Sequence, residues 1–314
     1  MKKSTKCILF TLGISITGIY AYNKFIEQTA SQKNLLSDKD GEYYNWKYGN
    51  IFYTKTGNGS PILLIHDTDA SASSIEWNKL VYRLSKNHTV YSIDLLGCGR
   101  SDKPALEYTN YLYTQMIHGF MNDVIQKKAV VVASNISASF VIMANHIDNT
   151  FFEKIVLINP ASLKELNIIP DKSSKVKKTI IQLPFVGTFV YNIMNNMQHI
   201  DASFRSRYVT KPQLISSSIE DIYYEAAHKN GSKGRFLYSS LIGNYVNNSI
   251  SHAVKTITTP LLIIGSVEMK HYELALDDYH KVNPNLDIIR INNGSLYPHM
   301  EIPEKLNTLI NEFI

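Results

Sequence analysis

The stretch from Lys128 to Ala144 constrains this chain more than any other. A β-branched run, Ala129-Val-Val-Val132, stops at small polar residues, Ser134-Asn135-Ile136-Ser137, and an apolar run of helical character follows. The pattern reads as a buried strand, a tight turn and a helix. Similar short apolar runs recur at Pro61–His66, Thr89–Asp94, Lys154–Ile158, Thr259–Gly265 and Asp287–Ile291. Strands separated by helical stretches predict an α/β fold with a mostly parallel sheet and helices on both faces. Tyr43 to Thr56 alternates and precedes Gly57-Asn58-Gly59, which predicts an antiparallel opening pair.

Composition narrows the function classes. The 314 residues carry a formal charge of +5. The lysines are scattered, which argues against a nucleic-acid reader. Cys7 and Cys98 lie far apart in different contexts, so neither a disulfide nor a cysteine metal site is expected. No His/Asp/Glu cluster has ligand spacing, and no cofactor fingerprint appears; Gly97-x-Gly99 lacks the third glycine and the lysine of a phosphate loop. At the N-terminus Lys2, Lys3 and Lys6 precede an apolar run from Cys7 to Tyr22. Its length falls between a secretory core and a short spanning helix. Ile19-Tyr20-Ala21 is a poor cleavage site, which favours a retained single-pass anchor over a removed signal peptide. The lysines then stay in the cytoplasm and the body lies on the far side of the membrane, the alternative being secretion. Residues 23–41 read as a linker.

Two further segments carry a family resemblance. Gly97-Cys-Gly-Arg-Ser-Asp-Lys-Pro104 resembles the G-x-G-x-S-D-x-P loop of the α/β-hydrolases, and Pro298-His299-Met-Glu301-Ile-Pro303 resembles the P-H-x-E-x-P ending of that family. The strand-turn-helix at Asn135 resembles its nucleophile elbow, where G-x-S-x-G holds a serine on a strained turn. The resemblance covers roughly residues 43–314. It implies an α/β-hydrolase core at 42–162 and 251–314, with a helical cap inserted at 163–250. Arg100 and Asp102 are expected to pin the glycine loop together.

The resemblance also implies where a triad should sit, and this sequence departs from it. The ungapped register from Tyr108 places Asn135 at the nucleophile position. The elbow vertex takes a positive φ, which Asn tolerates well, but an amide does not attack a carbonyl. The acid position is Glu268, in Gly265-Ser-Val-Glu268. The histidine position is Leu296, and His299 matches a second, structural histidine of the ending. The oxyanion-hole region comprises Asp67, Thr68 and Ile136; the family's His-Gly is here His66-Asp67, so a carboxylate stands where an oxyanion is normally stabilised. Asp67 either disfavours anionic intermediates or caps the following segment.

The leading expectation is therefore a membrane-anchored α/β-hydrolase homologue that binds a small apolar or acyl ligand under its cap, without ordinary serine-hydrolase turnover. The alternative is an active esterase using Ser137 with His299 and Glu268. In the cap, Lys172, Lys175, Lys177 and Lys178 precede the apolar segment Thr179–Met194. This predicts either a pocket-lining helix, the plainer reading, or a membrane-docking face.

Overall fold

A computed structural model describes residues 3–37, 39–211, 217–268, 270–292 and 294–314, with backbone only for 3–15, 217 and 270. Its centre is an eight-stranded sheet: β1 (Glu42–Trp46), β2 (Gly49–Thr56), β3 (Ser60–Ile65), β4 (His88–Ile93), β5 (Ala129–Ser134), β6 (Phe152–Ile158), β7 (Leu261–Ser266) and β8 (Asp287–Ile291). The spatial order is β1-β2-β4-β3-β5-β6-β7-β8. The first two strands pair antiparallel, β2 also runs antiparallel to β4, and every later pairing is parallel. β3 is flanked by β4 on one side and β5 on the other, so the chain order reverses there. In open α/β sheets this reversal opens a crevice at the carboxyl ends of the strands. Pairing of Ile65 with Ala133 brings the loops after β3 and β5 together.

The helices are α1 (Lys3–Thr29), α2 (Asn78–Leu84), α3 (Asn110–Phe120), α4 (Ser137–Ile147), α5 (Leu163–Leu166), α6 (Lys172–Gln182), α7 (Val186–Met194), α8 (Met197–Ser203), α9 (Ser217–His228), α10 (Arg235–Ile242), α11 (Ser251–Thr256), α12 (Lys270–Val282), α13 (Pro298–Glu301) and α14 (Pro303–Phe313). One core cluster lies under α3, α4 and α12 and includes Leu63, Val131, Phe140 and Leu276; the other lies under α2 and α14 and includes Leu64, Val132, Trp77 and Leu306. Alternate residues of β3 and β5 thus feed opposite cores, as the period of two in a strand requires.

Several expectations meet a different arrangement. Arg100 pairs with Asp94, not Asp102: its Nε donates to Asp94 Oδ2 at 2.7 Å and its Nη2 to Oδ1 at 3.0 Å, while Asp102 accepts from the Asn50 backbone N–H at 2.7 Å. Asp94 ends the β4 segment directly beneath the loop, and Gly99, at φ +45°, leaves no Cβ to collide with its carboxylate. Residues 23–29, read as linker, are the last turns of α1. Ile26, Ala30 and Leu36 are buried, and the Glu225 carboxylate accepts from the backbone N–H groups of Leu35 at 2.8 Å and Leu36 at 3.2 Å. The polar composition of this stretch serves contacts with the cap. Among the described residues no helix is long and apolar enough to cross a membrane. Most of the run from Cys7 lies where the side chains are outside the description. Residues 163–250, expected to form a helical insertion, lie between β6 and β7 and carry α5 to α10 and, among the described residues, no strand; 212–216 lie outside the described residues. The apolar side of α6 and α7, however, faces outward rather than into a pocket: Gly187, Tyr191 and Asn192 are the residues α7 buries, which leaves Val186, Ile193 and Met194 on the exposed side.

The Asp94–Arg100 pair predicts an acid-sensitive contribution. Burial works against the Asp94 charge, but the Arg100 guanidinium outweighs it and holds the carboxyl well below its ordinary 3.8. Its stabilisation is therefore present above that value and lost as pH falls towards the lower folded value. Arg100→Met leaves a buried charge without its partner and should cost about 3–5 kcal/mol at neutral pH. Urea unfolding should show the gap to wild type narrowing as pH drops below the ordinary carboxylate value.

Candidate functional site

The loops that follow β3 and β5 bring together several of the residues singled out by the sequence. β5 ends at Ser134, α4 begins at Ser137, and Asn135 occupies the vertex with φ +45°. Across from it, β3 runs into His66-Asp67-Thr68. The Leu95 backbone N–H donates to His66 Nε2 at 2.9 Å, so the ring proton sits on Nδ1, which donates to the Asp67 carbonyl at 2.5 Å. His66 is thereby a buried brace for the main chain at Asp67. Glu76, in the helical turn before α2, supports the same point: its Oε1 accepts from the Asp67 N–H at 3.1 Å and from Ser134 Oγ at 3.1 Å.

Held this way, the Asp67 side chain turns into the elbow. Its Oδ1 accepts from the backbone N–H of Thr68 at 2.7 Å and of Ile136 at 3.3 Å. Its Oδ2 accepts from Asn135 Nδ2 at 2.9 Å and from the Tyr297 hydroxyl at 3.0 Å. The backbone N–H groups of Thr68 and Ile136, read from the sequence as the oxyanion-hole region, are thus both engaged by a carboxyl group of the chain itself. Asp67 is buried at 4% exposure. Burial pushes its pKa up to about 7; the Asn135 hydrogen bond opposes this, the Glu76 and Asp69 charges reinforce it, and the Tyr297 hydrogen bond opposes it again. Burial, with the Asp67 charge behind it, pushes the Tyr297 hydroxyl well above its ordinary range.

The remaining sequence-predicted residues lie apart from this cluster or serve other bonds. Ser137 is fully buried; its Oγ donates to the His66 carbonyl at 2.6 Å, so the 2.7 Å contact with Thr68 Oγ1 uses the threonine proton. A serine hydroxyl has one proton to give, and that of Ser137 goes to a backbone carbonyl. His299 stacks on Trp77 with ring centroids 4.0 Å apart, and its Nε2 lies 3.3 Å from Glu76 Oε1. Glu268 is exposed beyond β7, with its backbone N–H donating to Ser266 Oγ at 3.3 Å. The structure thus joins Asp67, Thr68, Asn135 and Ile136, sets Ser137 behind them, turns His299 to Glu76 and leaves Glu268 at the rim.

Leu296, read from the sequence as standing at the histidine position, is buried in a loop held from three sides. Asn159, at the end of β6, donates to the carbonyls of Ser295 at 2.6 Å and Leu296 at 3.0 Å. The cap reaches down through the carbonyls of Arg207 and Tyr208, which accept from Leu296 N at 3.2 Å and Tyr297 N at 3.0 Å. Glu301 completes the strap by accepting from Thr210 N at 2.7 Å, Lys211 N at 3.0 Å and Ser295 N at 2.9 Å. Phe204, Tyr208, Tyr223 and Tyr297 pack together over Asp67. Sequence reasoning missed Tyr297, Glu76 and this aromatic roof. Tyr297 adjoins Leu296, but nothing local announces that its hydroxyl reaches a residue in the loop after β3. Among the described residues no group of three or more His, Cys, Asp or Glu side chains is arranged to hold a metal ion.

Comparison with known proteins follows this geometry. No family model matches the chain. A 113-residue stretch is 26% identical to a 2-hydroxy-6-oxo-6-(2'-aminophenyl)hexa-2,4-dienoic acid hydrolase of Metapseudomonas resinovorans, covering 35% of this chain and 39% of that protein. The chain thus aligns with well under half the length of that relative. Among solved structures, a serine hydrolase involved in carbazole degradation superposes with a TM-score of 0.69 at 16% identity, covering 87% of this chain and 97% of the other. The enol-lactonase of Burkholderia xenovorans LB400 superposes with a TM-score of 0.69 at 16% identity, over 87% and 99%.

The raised Asp67 pKa has a measurable consequence. The folded state keeps this proton up to about pH 7, whereas the unfolded chain releases it near 3.8. Stability is therefore lost as pH rises between those values, by roughly 4 kcal/mol in full. Asp67→Asn can rearrange its amide among the same partners and should flatten the decline in melting temperature between acidic and mildly alkaline pH; an unchanged slope in the variant would show that other groups cause it. On its sheet order, its elbow and these superpositions, the chain is an α/β-hydrolase-fold protein.

Proposed function

We propose that this chain is a membrane-attached α/β-hydrolase-fold protein that has given up serine-hydrolase turnover and binds a small apolar or acyl-bearing ligand beneath its cap. One observation carries the reading: Asp67 Oδ1 accepts from both Thr68 N and Ile136 N. Hydrolysis of an ester or amide places a developing negative charge between such donors, and their stabilisation of that charge is usually the largest single catalytic contribution. With a carboxyl group already there, the donors are engaged, and an ionised Asp67 repels a second anion. The neighbouring Asn135 supplies no nucleophile, and the proton of Ser137 is committed to the His66 carbonyl.

The aromatic roof of Phe204, Tyr208, Tyr223 and Tyr297 supports an apolar ligand body. The carboxyl of Asp67 and the amide of Asn135 supply the polar contacts. Asn135 and Ile136 are only half-buried, which supports approach of a ligand along that side. Lys2, Lys3 and Lys6 ahead of the apolar run support membrane attachment through the N-terminal segment, with the lysines on the cytoplasmic side.

The test is turnover of a short-chain aryl ester by the full chain, with labelling by an organophosphonate serine probe alongside. Wild type and Ser137→Ala should both be inert and unlabelled. Asn135→Ser with Leu296→His should stay inert while Asp67 fills the donors, and adding Asp67→Gly should bring measurable turnover. Probe attachment at Ser137, or turnover abolished by Ser137→Ala, would establish the chain as an active hydrolase and sink the proposal. Medium-chain acyl amides should raise the melting temperature of wild type, and Tyr208→Ala should diminish that rise.

A further inference from the structure

We propose that the outward face of α6 and α7 is a lipid-binding platform that lays the cap on an anionic membrane surface. The inference rests on the membrane attachment proposed above and specifies which part of the folded domain meets the lipid.

The face is apolar by arrangement. Val176 and Ile180 lie four apart on α6 and Leu183 directly follows its last residue, and all are exposed, at 58%, 44% and 44%. On α7, Val186, Ile193 and Met194 fall on one side and are also exposed. Phe185 stands at the turn between the two helices, 54% exposed and at φ +57°. A positive φ is costly for an aromatic residue, and strain of this kind collects at functional positions. Soluble monomers rarely expose contiguous apolar patches above a few hundred Å².

Two further observations select lipid as the occupant. The first is charge. Lys172, Lys175 and Lys177 are exposed along α6 beside the apolar stripe, and none forms an ion pair with a described carboxylate. Lysines flanking an exposed apolar helix face suit a helix lying in the headgroup region of anionic lipid. The second is continuity. α1 packs along α7: Tyr22 meets Phe189 edge to face with centroids 5.4 Å apart, Asn23 Nδ2 donates to the Phe185 carbonyl at 3.0 Å, and Asn192 Nδ2 donates to Asn23 Oδ1 at 3.0 Å. Tyr20 lies 6.4 Å from the Phe185 ring. The helix that carries the N-terminal apolar run therefore leaves the domain at the edge of this patch. Any membrane that holds the run is brought to the cap.

The experiment is partition of the full-length protein onto vesicles of phosphatidylcholine with and without phosphatidylglycerol, at low and high salt. Ile180→Asp with Phe185→Asp should weaken partition at least about tenfold, since two apolar side chains no longer enter the interface. Asp tolerates the positive φ at 185, and an unchanged melting temperature verifies the fold. Lys172→Glu with Lys175→Glu and Lys177→Glu should abolish the preference for phosphatidylglycerol and its salt dependence. Ile14→Asp with Ile16→Asp, within the N-terminal run, separates the two readings. If wild type ignores vesicles altogether, attachment and platform fall together. If wild type binds, the run variant releases it and both cap variants bind as wild type does, the platform alone is overturned. A lipid-free dimer that the Ile180→Asp, Phe185→Asp variant converts to monomer, with vesicle binding unchanged, would make the face an interface between copies and would also overturn it.

Discussion

Four donors converge on the carboxyl group of Asp67, and the closed form of the site depends on them. Thr68 N, Ile136 N, the Asn135 amide and the Tyr297 hydroxyl all point at Asp67. They come from three separate segments: the loop after β3, the elbow after β5 and the loop after β8. A buried carboxyl without such partners would be costly, so the group joins these segments as well as filling the centre. His66 and Glu76 complete the arrangement by fixing the main chain on which Asp67 is carried.

The cap adds a second level of closure. Arg207 and Tyr208 bond to the loop at Leu296 and Tyr297 through backbone groups, and Glu301 gathers donors from both the cap and the loop. Backbone-to-backbone ties are indifferent to side-chain identity, so the strap sets no requirement on the side chain at position 296. Leucine there extends the apolar cluster of Phe204, Tyr208 and Tyr223. The site is a small polar centre joined through Tyr297 to a buried aromatic cluster.

Much of this was legible in the residues. The β-branched runs located the strands, because a strand buried on both faces has little choice but to be apolar throughout. The vertex at Asn135 was legible because few non-glycine side chains accept its backbone angle. The pairing partner of Arg100 was not: Asp94 and Asp102 are both near in sequence, and only the return of the loop over β4 decides between them. Nor was the outward turn of α6 and α7. An apolar stripe on a helix says that one side differs from the other, and says nothing of whether protein or another phase lies against it.

By itself, the amino-acid sequence determined the order of strands and helices, the tight turn with an amide at its vertex, and the presence of Asp67 in the loop after β3. These follow from local preferences and from motifs whose parts are close in the chain. The tertiary structure decided what Asp67 does. Whether it capped its own loop or entered the elbow depended on the parallel pairing of β3 with β5, and its fourth partner, Tyr297, comes from a loop 230 residues away. Hydrogen bonds between such distant segments are set by packing of the whole sheet, and no local pattern records them.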